Sequence, residues 1–228
     1  RFAWEGQVYQ FRALPFGFSL APLVFTKVTR ELAALARVKG VRLHTYLDDW
    51  LTLADSQSSC QAHTDHVLDF SSRLGFRVND KKSDLTPSQE FNYLGMRFNT
   101  LSYTVAPVGA RLEVLNDLLS RLRASPSATY RTLLSLIGTM ESLAPLLPLG
   151  RMFKRPFQRE LAARVRAPPL LFAPVRLGQW FLDSTQKWID QDWLRTPVAI
   201  QPPKPSLFLY TDASKSGWGA HSLQWEVM

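Results

Sequence analysis

Val41-Arg42-Leu43-His44-Thr45-Tyr46-Leu47-Asp48-Asp49-Trp50-Leu51-Thr52-Leu53-Ala54 decides how the rest of the chain is read. Val41, Leu43, Thr45 and Leu47 alternate with Arg42, His44 and Tyr46, the period of a half-buried strand, and Leu51 and Leu53 alternate again after a break. The spacing predicts a β-hairpin whose tight turn is the pair Asp48-Asp49, because Asp tolerates the unusual dihedrals of two-residue turns. Such a turn holds two carboxylates side by side at an exposed tip. Adjacent anions repel, which costs stability unless a cation sits with them. A divalent metal with oxygen ligands, Mg²⁺ above all, is the natural partner. Taken alone, an Asp-Asp turn is more often ordinary solvated surface. The remaining sequence chooses between the two.

Toward the N-terminus, residues 1–18 read as strand, turn, strand: Phe2 and Trp4, then Glu5-Gly6, then Gln7 to Leu14. Leu14-Pro15-Phe16-Gly17 breaks the pattern. Ser19 and Pro22 suit a helix start, and Phe25, Val28, Leu32 and Leu35 give a helical stripe up to Gly40. Beyond the hairpin, Cys60, His63, Val67, Phe70 and Leu74 recur at three and four residues, with Gly75 as a C-cap. A short strand Phe76-Arg77-Val78, the pair Lys81-Lys82 and strand-like stretches Phe91 to Phe98 and Tyr103 to Val105 follow. The first hundred residues thus alternate β and α, an α/β or α+β layer.

Composition then shifts. Leu112, Leu115, Leu119 and Leu122 line one face of an amphipathic helix from Arg111 to Arg123. Ser125-Pro126-Ser127 ends it and opens another helix with Tyr130, Leu133, Leu134, Ile137 and Met140. After a Pro-broken apolar turn at Leu143 to Pro148, a further helix carries Arg151, Lys154, Arg155, Arg159, Arg164 and Arg166. Pro168-Pro169 begins a connecting region with one helix over Val175 to Trp193, its Leu177, Phe181 and Trp188 turned inward. A Pro-rich linker, Pro197 to Pro205 with Pro202-Pro203, precedes a fresh strand from Leu207 to Thr211 that leads to Asp212.

Bulk properties narrow the partners. With 228 residues, 46% of them hydrophobic, and seven Trp, the chain can pack a core. Lys and Arg outnumber Asp and Glu by 27 to 19, for a net charge of +8, which favours a polyanion, nucleic acid first. The single Cys60 excludes an internal disulfide and fits a reducing, intracellular compartment, cytoplasm or nucleus, rather than secretion. No apolar run approaches the roughly 20 residues of a membrane span, so no membrane partner is expected. Cys60, His63 and His66 share a three-residue spacing, but Cys60 and His63 lie on the apolar stripe and no fourth zinc ligand is near. The chain opens on Arg1 and closes at Met228 as though cut from a longer polyprotein.

Five motifs occur in a fixed order: Leu14-Pro15-Phe16-Gly17-Phe18-Ser19-Leu20-Ala21-Pro22, Tyr46-Leu47-Asp48-Asp49, Leu74-Gly75-Phe76 with Lys81-Lys82, Tyr93-Leu94-Gly95, and Tyr210-Thr211-Asp212-Ala213-Ser214 with Gly217-Trp218-Gly219-Ala220. At these spacings the first four resemble the reverse transcriptase of retrotransposons and retroviruses, and the last resembles the first hairpin of the attached RNase H domain. Pro148-Leu149-Gly150-Arg151 and the Gly-Trp-Gly lean toward the DIRS-like, tyrosine-recombinase elements. The resemblance implies an α+β fold: a partial right-hand polymerase palm with part of the fingers over residues 1–106, a helical thumb over 107–167, a connection over 168–205 and a truncated RNase H start over 206–228.

It also implies RNA-directed DNA polymerase chemistry, two-metal nucleotidyl transfer to a primer 3′ end using Mg²⁺ or Mn²⁺. Asp48 and Asp49 would be the catalytic metal ligands, with Tyr46 beside them near the primer end. Leu14, Pro15, Phe16 and Gly17 would lie over the incoming deoxynucleoside triphosphate, where Gly permits close approach and Phe16 offers a flat face. Lys81 and Lys82 would meet the triphosphate as point charges. Tyr93, Leu94 and Gly95 would form the primer grip, and the basic thumb helices would touch the phosphates of an RNA or DNA template with its primer. Asp212 would be the first metal carboxylate of an incomplete RNase H site; Glu226 does not match that family's second acid. The family's third polymerase carboxylate has no counterpart, since Glu5 sits in a turn and Glu31 on a helix, so the isolated segment is expected to be inactive. Two other readings remain: a non-catalytic nucleic-acid-binding remnant of a retroelement, and a viral RNA-directed RNA polymerase, which the RNase H start disfavours.

Overall fold

Glu5 and Gly6 adopt φ values of 48° and 74°, both in the left-handed region, and so close the first hairpin between β1 (Phe2–Trp4) and β2 (Gln7–Tyr9). The second strand ends at Tyr9, short of the Leu14 expected. The computed structural model describes residues 1–125, 127–164, 171–201 and 204–222, and the chain divides into two units, Arg1–Phe98 and Asn99–Met228. Pro126, Arg166, Pro168, Pro169, Pro202, Pro203 and Glu226, each singled out from the sequence, lie outside the described residues.

In the first unit, α1 (Ala21–Val38) begins with Leu20 at its N-cap, no side-chain cap, and Pro22 in its first turn, so Ser19 does not start it. The buried face is Thr29, Leu32, Ala33 and Ala36, while Val28 and Leu35 are exposed. The expected stripe is therefore rotated, and small alanines replace branched residues where the helix meets β3 (Arg42–Tyr46). Strand β3 pairs antiparallel with β4 (Asp49–Leu53). Ala33, Ala36, Val41, Leu43 and Val67 form the core of this unit, with Trp50 packed on it. Val67 comes from α2 (Gln57–Arg73), whose N-cap Ser56 accepts from the Ser59 amide. Gly75, at φ 84°, ends the helix, with its amide bonded to Ser72 and that of Phe76 to Ser71.

Phe76 to Val78 forms no regular element, and so not the expected strand; a 3₁₀ turn, Asp80–Lys82, follows. The hairpin of β5 (Glu90–Tyr93) and β6 (Met96–Asn99) turns through Leu94 and Gly95 at φ 50° and 73°, with Phe91 stacked on Phe98. The stretch read as one strand is thus two, because two consecutive positive φ values reverse the chain.

The second unit is built on helices. Strand β7 (Thr104–Pro107) leads into α3 (Gly109–Ala124), whose Leu112, Leu115, Leu119 and Leu122 are all buried. Residues Ser127–Thr129 form a strand, β8, where a helix start was expected, and Thr129 then caps α4 (Tyr130–Leu143). The inward face of α4 is Leu133, Leu136, Met140 and Leu143, while Leu134 is exposed. A 3₁₀ turn, Ala144–Leu146, joins it to α5 (Gly150–Arg164). Gly150 is needed there, because a Cβ would lie 2.5 Å from the Ala144 carbonyl oxygen.

The single helix expected over 175–193 is four pieces: β9 (Pro174–Arg176), paired with β8, then α6 (Gln179–Ser184), a 3₁₀ turn Gln186–Ile189, and α7 (Gln191–Arg195). The last break has a chemical cause, since Asp190 accepts from the Trp193 amide and from Lys187 and so starts a new helix. Its inward residues were nonetheless identified correctly: Phe181 and Trp188 are buried and Leu177 packs on the same core. Trp188 donates to the Phe153 carbonyl at 3.2 Å and meets Trp193 edge to face, while Trp193 donates to the Pro148 carbonyl at 3.0 Å. Pro148-Leu149-Gly150 is accordingly a packing motif, tied down from two sides. Strand β10 (Val198–Ala199) pairs with β7, and β11 (Tyr210–Ala213) with β12 (Trp218–His221). The fold is a mixed α+β one, and no helix among the described residues is long and apolar enough to cross a membrane.

Candidate active site

The register of β3 and β4 sets the geometry of the carboxylates. Tyr46 stands opposite Asp49, so the two central residues of the turn are Leu47 and Asp48, not the two acids. Leu47 takes the positive φ, 50°, which a leucine adopts only at a cost of about 1–2 kcal/mol. The expectation of an Asp-Asp turn is corrected by one residue: Asp48 sits in the turn and Asp49 opens β4. Directly opposed strand residues share a face, so the Tyr46 ring and the Asp49 carboxylate project together. Tyr46, Asp48 and Asp49 are all exposed.

Two bonds hold this tip. Trp50, the residue after the acids, donates its indole N–H to the Leu47 carbonyl at 2.9 Å, which fixes the strained residue to the core beneath it. The Tyr93 hydroxyl donates to the backbone carbonyl of Asp49 at 3.3 Å. Burial, and secondarily the Asp49 charge, push the Tyr93 phenol above its ordinary pKa, so it stays a donor at neutral pH. Neither link was read from the sequence. Trp50 signalled only a strand residue, and the reach of Tyr93 across 44 positions has no local signature.

Neither Asp48 nor Asp49 engages its carboxylate in a hydrogen bond or ion pair among the described residues. Two free carboxylates with hard oxygens on a fixed tip suit Mg²⁺, which takes one or two carboxylates and fills the rest of its octahedron with water or substrate phosphate. No group of three or more His, Cys, Asp or Glu gathers among the described residues. Cys60 turns its thiol toward the Thr52 carbonyl and His66 stacks on Phe70.

The other candidate residues fall on exposed turns. Phe16 and Gly17 are the centre of a turn closed by the Phe18 amide on the Pro15 carbonyl; Gly17 has φ 83° and the Phe16 ring is fully exposed, with Leu14 beside it also exposed. Lys81 and Lys82 lie exposed on the 3₁₀ turn. Leu94 and Gly95 form the β5–β6 turn next to Tyr93. In the second unit, Asp212 stands opposite Gly219 in the β11–β12 hairpin and its carboxylate accepts from the Ala213 amide at 2.8 Å.

Residues 1–98 match the family described as reverse transcriptase (RNA-dependent DNA polymerase). Protein P of Duck hepatitis B virus is 24% identical over 143 residues, which make up 62% of this chain and 17% of that protein. The Enzymatic polyprotein of Cauliflower mosaic virus is 24% identical over 214 residues, 92% of this chain and 28% of that protein. The chain therefore spans under a third of the length of either relative. The solved structure of the foamy viral protease-reverse transcriptase in complex with double-stranded DNA shares the fold, with a TM-score of 0.66 over 96% of this chain and 38% of that one, at 16% identity. The family match, the two viral relatives and the shared fold point the same way: residues 1–98 match reverse transcriptase, and the chain has the fold of the foamy viral protein.

Proposed function

We propose that the chain is part of an RNA-directed DNA polymerase in which Asp48 and Asp49 hold divalent cations at the end of a growing primer. The observation that carries this reading is the exposed hairpin tip with two unpaired carboxylates, inside the residues that match the reverse transcriptase family. In this reading residues 1–106 are palm and part of the fingers, 107–167 the thumb, 168–205 the connection and 206–228 the start of an RNase H domain with Asp212 as its first carboxylate. The substrates are an RNA or DNA template with its primer and deoxynucleoside triphosphates.

When bound, two Mg²⁺ or Mn²⁺ ions supply charge neutralisation to the attacking and leaving oxygens of an in-line phosphoryl transfer. The chain's own residues orient the partners. Asp48 and Asp49 provide the anionic oxygens, and Tyr46 flanks the primer end on the Asp49 face. Phe16 presents a bare ring to a base or sugar, and Gly17 lets the backbone approach. Lys81 and Lys82 serve as point charges for the triphosphate. The Tyr93-Leu94-Gly95 turn props the primer, and the Tyr93 bond to Asp49 couples that prop to the carboxylate hairpin.

Metal binding tests the assignment on the chain as it stands. Loss of the free Mn²⁺ signal in electron paramagnetic resonance is expected with the parent chain, and Asp48→Asn or Asp49→Asn weakens the affinity about tenfold or more. Unchanged Mn²⁺ affinity in both variants defeats the assignment and favours a non-catalytic nucleic-acid-binding remnant.

A further inference from the structure

Between α5 and α6 lies an open cleft of about 490 Å³, lined by Met152, Arg155, Pro156, Arg159, Glu160 and Trp180. That size is typical of small-ligand sites. Its shape follows from two neighbouring pairs of residues. Phe157 and Phe181 are buried and meet edge to face at 5.0 Å, locking α6 onto α5. The residues just before them, Pro156 and Trp180, are thereby turned into the cleft, and Trp180 is left 54% exposed. Pro156 carries no amide hydrogen for the Met152 carbonyl one turn back, so ring and thioether side chain make an apolar floor.

The charged rim is strongly one-sided. Arg151, Arg155 and Arg159 succeed one another at one-turn intervals along α5, about 6 Å apart, and all three are exposed. None of the three has an ion-pair or hydrogen-bond partner among the described residues. Lys154, in contrast, is buried and paired with Glu141, and burial and then the charge of Arg155 lower its pKa. Glu160 stands on the same rim.

We propose that this cleft is a binding site for single-stranded nucleic acid, in which one unpaired base stacks on Trp180 and the flanking phosphates meet Arg155 and Arg159. Charge complementarity selects a polyanion, and an exposed indole face beside unpaired arginines selects one with free bases. A duplex satisfies the arginines but not the indole, because its bases are already stacked on each other. The site lies wholly within the second unit and draws on the polymerase reading only for the kind of polymer expected.

The test is fluorescence anisotropy on the full chain, with a labelled oligothymidylate and a labelled duplex of equal length. Trp180→Ala is expected to weaken oligothymidylate binding roughly 5- to 150-fold, the range for losing one stacked base. Trp180→Phe restores most of that affinity, and duplex binding changes less than twofold in either variant. Joint replacement Arg155→Ala and Arg159→Ala lowers the salt slope of single-strand binding by about 1.4, from roughly 0.7 per phosphate contact. Mn²⁺ affinity and oligothymidylate affinity are read separately on the same protein, so failure of the metal assignment and failure of this site are separately visible. Oligothymidylate affinity within twofold of the parent in Trp180→Ala overturns the proposal, as does equal weakening of the duplex. Competition by thymidine monophosphate as effective as the oligomer overturns the assignment to a strand.

Discussion

Leu47 offers a sharp test of the carboxylate hairpin, because its φ of 50° reverses the usual order of tolerance among substitutions. Leu47→Gly relieves about 1–2 kcal/mol of left-handed strain. Against that stands the loss of a half-buried side chain, about 0.8–1.5 kcal/mol as half of a full leucine burial. Glycine adds about 0.5–1 kcal/mol of backbone entropy to be lost on folding. The terms nearly cancel, and Leu47→Gly is expected within about 1.5 kcal/mol of the parent. Leu47→Val keeps the strain and adds a branched Cβ, which positive φ tolerates worst, so it is expected to destabilise by about 1–2 kcal/mol. At an ordinary strand position valine is the better residue by up to about 1 kcal/mol. Native-state hydrogen exchange of the β3 and β4 amides reads the local stability directly. A Leu47→Val hairpin at least as stable as the parent refutes the left-handed turn and with it the placement of Asp48 and Asp49.

Other outcomes follow from single contacts. Trp50→Phe removes the donor to the Leu47 carbonyl and is expected to loosen the same amides by about 0.5–1.5 kcal/mol, again by hydrogen exchange. Gly150→Ala forces a methyl group onto the Ala144 backbone and should destabilise the second unit by about 1–3 kcal/mol in urea unfolding. Asp190→Ala lowers the melting temperature at neutral pH, because the Lys187 ammonium and then the Trp193 amide hold the Asp190 carboxyl below its ordinary range. That stabilisation is complete above the unfolded carboxylate pKa and is lost as pH falls through the depressed folded value, so the gap between variant and parent closes only in acid.

Much of the second unit could be read from the sequence, because its leucines leave little choice. Leu112, Leu115, Leu119 and Leu122 share one helical face and all four are buried. In α1 the apolar residues surround the helix, and hydrophobicity alone could not say that Ala33 and Ala36 face β3 while Val28 and Leu35 face outward. The close approach of helix to strand favours the small residues. The 175–193 segment kept its inward residues, and its last break falls at Asp190, whose capping bond outweighs helical periodicity. The Asp pair was found, but its turn was misplaced by one residue, since turn propensity favours Asp and the register of Tyr46 on Asp49 puts Leu47 there instead. Links such as Tyr93 to Asp49 depend on tertiary placement that no local pattern encodes.

The most direct measurement is RNA-templated extension of a DNA primer, in Mg²⁺, by an active protein that carries this segment. Asp48→Asn and Asp49→Asn should each reduce the extension rate at least about 10²-fold, on the scale of removing one transition-state charge partner, while Trp180→Phe and Asp190→Asn leave it near the parent value. Extension at the parent rate by Asp48→Asn contradicts the account.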